Sequence, residues 1–65
     1  MNRIKNVLVE KQLTQRWLAR NLDKSYNMVN SYVQNRRQPS VSVLFEIARI
    51  LEVNPGDLLI KIKEK

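Results

Sequence analysis

An all-α fold is the expectation from three features of the sequence. Gly and Pro are scarce, at one and two residues. Apolar side chains, β-branched ones included, recur at three- and four-residue spacing and not in alternation. Ser or Thr stands just ahead of three of these periodic stretches, where a short side-chain oxygen can cap a helix.

The elements follow in order. Ile4, Val7, Leu8 and Lys11 keep the i, i+3, i+4, i+7 spacing of one helix face, with the lysine stem able to lie along it, so a first helix is expected over residues 3–11. It stops at Gln12-Leu13. Thr14 caps a second helix from Gln15 to Leu22, whose inner face holds Leu18, Ala19 and Leu22. Asp23-Lys24 makes a tight turn and Ser25 caps a third helix, with Val29, Tyr32 and Val33 inward and an end near Gln34. Asn35 then supplies a residue that tolerates the left-handed conformation closing many helices. Arg36-Arg37-Gln38-Pro39 is a polar loop, because Pro39 has no amide hydrogen and biases Gln38 away from helix. Ser40 caps a fourth helix lined by Leu44, Ile47, Ala48 and Leu51. Asn54-Pro55-Gly56-Asp57 has the signature of a fifth start: a cap, a proline at the first helical position and a carboxylate near the positive helix end. From Leu58 the tail is open between continued helix and a short strand, since Ile60-Lys61-Ile62-Lys63 alternates.

Composition narrows the function. A chain of 65 residues has room for one domain, here residues 1–65, and its thin core needs regular helix packing or a partner subunit. With no Cys and no His, disulfides, thiolate and imidazole metal sites and the common nucleophile-base pairs are excluded. Neither an enzyme nor a metal or other cofactor is expected. No apolar run approaches the roughly 20 residues of a bilayer span and the first residues lack a signal-peptide pattern, so the expected location is cytoplasmic, with no membrane partner.

Charge is uneven. The chain has twelve Lys and Arg against six Asp and Glu, a net +6. Residues 1–37 hold eight of the cations and two of the acids, so the whole excess lies there. That asymmetry suits a phosphate backbone, although an acidic protein, an RNA or an anionic membrane would also attract it; against RNA, no aromatic stacking platform is evident.

Two short, closely capped helices joined by a tight turn cross steeply, which is the helix-turn-helix arrangement with its second helix presented outward. In Leu13-Thr14-Gln15, Leu18-Ala19, Ser25, Val29, Arg36 to Ser40, Leu44, Ile47-Ala48, Leu51, Val53 and Asp57-Leu58-Leu59, the chain resembles the Cro and lambda-type repressors, the Xre-like regulators. The resemblance runs from about Ile4 to Leu59. It implies a compact five-helix bundle, and binding to operators as a dimer. Asp23 and Asn35 stand where that family usually has Gly; both residue types tolerate positive φ, so the turns are expected to persist.

The resemblance places Tyr26, Asn27, Met28, Asn30 and Ser31 on the exposed face of a recognition helix within residues 14–34, as the residues that read base edges. Asn27 suits bidentate pairing with adenine, Tyr26 and Ser31 single hydrogen bonds, and Met28 a thymine methyl. Gln15 and Ser25 sit at helix N-termini, where free amides favour a phosphate oxygen, although capping alone accounts for Ser25. Arg16, Lys24, Arg36 and Arg37 are candidates for neutralising phosphates, which positions a protein without selecting a sequence. Trp17 reads as a core side chain wedged toward the fourth helix or the flank of the first, the alternative being a contact with a DNA sugar or a partner.

The second half carries more apolar residues than one stripe can bury. Phe45, Ile50, Leu58, Leu59, Ile60 and Ile62 are therefore expected at a two-fold homodimer interface within residues 41–65. Two copies would set recognition helices one DNA turn apart on an inverted repeat. The function expected is a transcriptional regulator on double-stranded DNA, a repressor or restriction-modification controller with no evident small-molecule effector. The competing expectation is a DNA-binding antitoxin whose apolar half covers a protein partner.

Overall fold

Short polar residues ahead of apolar stripes start three of the helices. In the computed structural model, which describes residues 2–59, the chain runs through α1 (Ile4–Lys11), α2 (Gln15–Leu22), α3 (Tyr26–Val33), α4 (Val41–Leu51) and a 3-10 turn at Pro55–Leu58. The Thr14 hydroxyl accepts the Trp17 N–H at 3.0 Å, Ser25 that of Met28 at 3.1 Å, and Ser40 that of Val43 at 3.3 Å. Each satisfies an amide that the first turn of a helix leaves without an internal partner.

The four helices also end alike. Gln12, Asp23, Asn35 and Glu52 have φ of 59°, 59°, 61° and 59°. The amide after each reaches back over the last turn: Leu13 to the Leu8 carbonyl, Lys24 to Ala19, Arg36 to Ser31 and Val53 to Ala48, at 2.9 to 3.1 Å. This is the closure in which a left-handed residue turns the chain away, and glycine is its usual occupant. Here none of the four is glycine. Leu13 and Val53, the apolar residues just past two of these turns, fold back onto the core.

The core is continuous through all four helices. Ile4, Val7 and Leu8 of α1 meet Leu18, Ala19 and Leu22 of α2, Val29, Tyr32 and Val33 of α3, and Leu44, Ile47, Ala48 and Leu51 of α4. Trp17 is half-buried against it, beside Leu13, Ile50 and Leu51, at the junction of α2 with the ends of α1 and α4.

Two expectations are corrected. The fifth helix is a single 3-10 turn, so the described residues hold four α-helices and not five. Its start is as expected, with Asp57 Oδ2 accepting the Asn54 N–H at 3.3 Å. It goes no further because Leu58 drops into the core and Leu59 turns extended, at φ −103° and ψ 143°, to form an isolated antiparallel bridge with Asn2. The same geometry removes Leu58 from any dimer surface: its side chain is 0% exposed within one chain, and its carbonyl accepts the Arg3 N–H at 2.7 Å. Ile60 and Ile62, and the choice between helix and strand for the tail, lie outside the described residues. No described helix is long and apolar enough to cross a membrane.

Candidate nucleic-acid interface

Which residues α3 can offer to a ligand follows from which it buries. With Val29, Tyr32 and Val33 turned inward, a rotation of about 100° per residue puts Asn27, Ser31 and Gln34 on the opposite side. Asn27 and Gln34 are exposed and Ser31 is half-buried. None is charged. The Ser31 hydroxyl donates to the Asn27 carbonyl at 3.1 Å, so its oxygen is left as an acceptor only. The Asn27 amide makes no hydrogen bond within the described chain, leaving both a donor and an acceptor to face outward. Gln34 was not among the candidates from sequence, although its position three residues beyond Ser31 is signal enough to include it.

Tyr26 and Asn30 lie on the flank of α3 that touches α2. Asn30 Nδ2 donates to Gln15 Oε1 at 2.9 Å, and both residues are half-buried. The consequence is chemical. With its oxygen engaged, the Gln15 amide keeps Nε2 without a partner among the described residues, and an N–H donor is what a phosphate oxygen can accept. Arg16 stacks over the Tyr26 ring, its guanidinium carbon 5.4 Å from the centroid. A guanidinium held by its face keeps the N–H groups on its edge free to donate.

Met28 is on the other flank. It packs partly against the core, and Arg37 Nη1 lies 3.4 Å from its sulfur, so Arg37 is drawn alongside α3. Ser25 uses its oxygen to cap α3 and keeps its hydroxyl hydrogen for a second partner. Lys24 is exposed in the turn between α2 and α3, and Arg36 is exposed in the loop after α3. Among the described residues one ion pair occurs, between Arg49 and Glu46 of α4 at 3.1 Å. Arg16, Lys24, Arg36 and Arg37 therefore meet no described carboxylate at ion-pair distance. The uncharged stripe of α3 is thus edged with cations.

The loop after α3 is held by a residue that sequence reasoning did not single out. Asn2 is 4% exposed. Its N–H donates to Asn35 Oδ1 at 2.8 Å and its Nδ2 to the Tyr32 carbonyl at 3.0 Å and Gln38 Oε1 at 3.1 Å. These partners are 30 to 36 residues away in sequence, so no local pattern announces it.

The apolar residues left outside the core do not form one patch. Val41, Phe45 and Leu59 are 72%, 57% and 46% exposed. Val41 and Leu59 line a shallow groove with Pro39 and Leu44, and Phe45 follows Val41 one turn later. Ile50 is half-buried and sits five residues past Phe45, a rotation of roughly 140°, where it borders Trp17 and Leu13. It belongs to the opposite edge of α4 from Phe45.

The helix-turn-helix family model matches residues 4–58. No curated protein matches the sequence. Among solved structures, the chain is similar to a crystal structure of a protein from Bacteroides fragilis held to be DNA-binding. The two are 46% identical over 89% of this chain and 94% of that one, with a TM-score of 0.87.

Proposed function

The chain belongs to the helix-turn-helix family typified by Cro and the lambda-type repressors, and on that footing we propose that it binds duplex DNA sequence-specifically, as a homodimer, and regulates transcription. One observation carries this reading above the others. The stripe of Asn27, Ser31 and Gln34 is uncharged and its amides are free, while the cations Arg16, Lys24, Arg36 and Arg37 border it without described carboxylate partners. Such a division matches what DNA asks for: neutral donors and acceptors at the base edges, positive charge at the backbone.

In this reading Asn27 pairs with a base, adenine being the one whose N6 and N7 suit its amide, and Ser31 accepts a single hydrogen bond. The Tyr26 hydroxyl and the Met28 side chain reach base edges from the two flanks. Asn30 acts at one remove, by turning Gln15 toward a phosphate. Arg16, Lys24, Ser25, Arg36 and Arg37 contact the backbone.

The homodimer rests on the exposed Val41, Phe45 and Leu59. Apolar side chains gathered at one edge are typical of interfaces, and a two-fold axis there would present two α3 helices about 34 Å apart, one turn of DNA. Because dimerisation and DNA binding are then linked, occupancy responds to protein concentration.

Selection of bound sequences from random duplex DNA tests the proposal, and the expected product is an inverted repeat with half-sites one turn apart. Failure to enrich any repeat would refute it. The same exposed edge also fits a second reading, an antitoxin covering a protein partner. Sedimentation of the purified chain separates the two: a homodimer supports the regulator, whereas a chain stable only in complex with another protein supports the antitoxin.

A further inference from the structure

We propose that Asn2 is a positioning residue for DNA binding: it locks the loop that carries Arg36 and Arg37 to the edge of the domain formed by Leu58 and Leu59. The inference rests on the DNA-binding reading above.

Among the described residues Asn2 is the one polar residue buried with the core. Burial of that kind is costly unless every polar atom finds a partner, and here each does. Nδ2 donates twice, to the Tyr32 carbonyl and to Gln38 Oε1, and Oδ1 accepts the Ile4 N–H at 3.1 Å. The main-chain N–H donates to Asn35 Oδ1, while Asn35 Nδ2 donates to the main-chain carbonyl at 3.4 Å. The Asn35 side chain thus pairs with Asn2 much as a neighbouring strand would. Gln38 Nε2 closes the ring by donating to Asn35 Oδ1 at 3.2 Å.

Three amides are therefore joined in a cycle, and two of them, Asn35 and Gln38, stand immediately before and after Arg36-Arg37. Between these anchors both arginine N–H groups point back to the Ser31 carbonyl, at 3.0 and 3.3 Å. The other side of Asn2 bridges Leu59, and the next amide, that of Arg3, donates to the Leu58 carbonyl. The loop's conformation is fixed on both sides of two arginines that have no described carboxylate to meet and contribute nothing to the core. A rigid loop holding exposed cations lowers the ordering cost of a phosphate contact, because the main chain need not be immobilised at binding.

The test is a double-mutant cycle in DNA affinity, on the full chain and a selected duplex, across salt. Asn2→Ala is expected to weaken binding to all duplexes alike and to reduce the slope of log affinity against log salt by about 1, as for one lost phosphate contact. Replacing Arg36 and Arg37 together by Ala should then cost about two- to tenfold less in the Asn2→Ala background than in the unaltered chain. Gln38→Ala, at an exposed side chain, is expected to show part of the same loss and coupling, and keeps the test open if Asn2→Ala folds poorly. Thermal melting accompanies each variant. A lowered melting temperature with an unchanged salt slope and additive arginine effects would make Asn2 a purely structural residue and overturn the inference. No binding by the unaltered chain would overturn the DNA-binding reading itself, and this inference with it.

Discussion

Replacing Asn30 by Ala separates a residue that reads a base from one that aims another side chain. The hydrogen bond lost is Asn30 Nδ2 to Gln15 Oε1, 2.9 Å long and partly buried. A neutral hydrogen bond of this sort contributes about 0.5 to 1.5 kcal/mol net, so a Gln15 amide freed to rotate should weaken DNA binding about two- to thirteenfold. Asn30→Asp should cost more. A carboxylate only accepts, so the Gln15 amide must turn its Nε2 inward and face phosphate with its oxygen. Fluorescence anisotropy on a selected duplex, and on a panel with each base pair changed in turn, would measure both variants. Loss of the same factor on every duplex is expected, and for Asn30→Ala the salt slope should be unchanged because neither Asn30 nor Gln15 is charged. Gln15→Ala should add little once Asn30 is gone. Collapse of preference at one base pair, or additive effects of the two changes, would refute the reasoning and return Asn30 to the base-reading set.

Four further outcomes are expected. Glu52→Gly should raise the melting temperature by a few degrees, since a left-handed φ of 59° costs a side-chain-bearing residue about 1 to 2 kcal/mol and glycine's greater chain entropy returns only part of that; a lower temperature would contradict it. Asn35→Gly should instead destabilise, despite the equally positive φ, because it deletes the bonds to Asn2, and thermal melting compares the two directly. Phe45→Asp should shift sedimentation from dimer to monomer with folding retained, as Phe45 is 57% exposed. Leu58→Ala should cost about 2 to 5 kcal/mol in denaturant unfolding, as for a cavity at a fully buried leucine.

The sequence made the helix starts legible because an N-cap is a local event: Thr14, Ser25 and Ser40 each satisfy an amide three residues on. It left the length of the last element open, since Asn54-Pro55-Gly56-Asp57 opens a 3-10 turn and an α-helix with the same residues. In Leu58-Leu59 no alternation tells which leucine is buried, and only the turn's geometry sends the first inward. The inner faces of α3 and α4 follow from period alone, as does the exposure of Asn27. What Asn30 touches does not, because it depends on how α2 lies against α3. Asn35 was legible as a left-handed residue in place of glycine. Its second use, pairing with Asn2, joins positions 33 residues apart and leaves no mark in either neighbourhood.

The central claim is a division of labour, in which the α3 stripe selects sequence and the bordering cations supply affinity. Salt titration of Asn27→Ala and of Arg36→Ala, each on a selected duplex and on a scrambled one, tests it most directly. Asn27→Ala should lose affinity for the selected duplex alone and keep its salt slope. Arg36→Ala should lose affinity for both duplexes equally and lower the slope by about 1. Equal losses on the two duplexes for Asn27→Ala, or an unchanged slope for Arg36→Ala, would contradict the account.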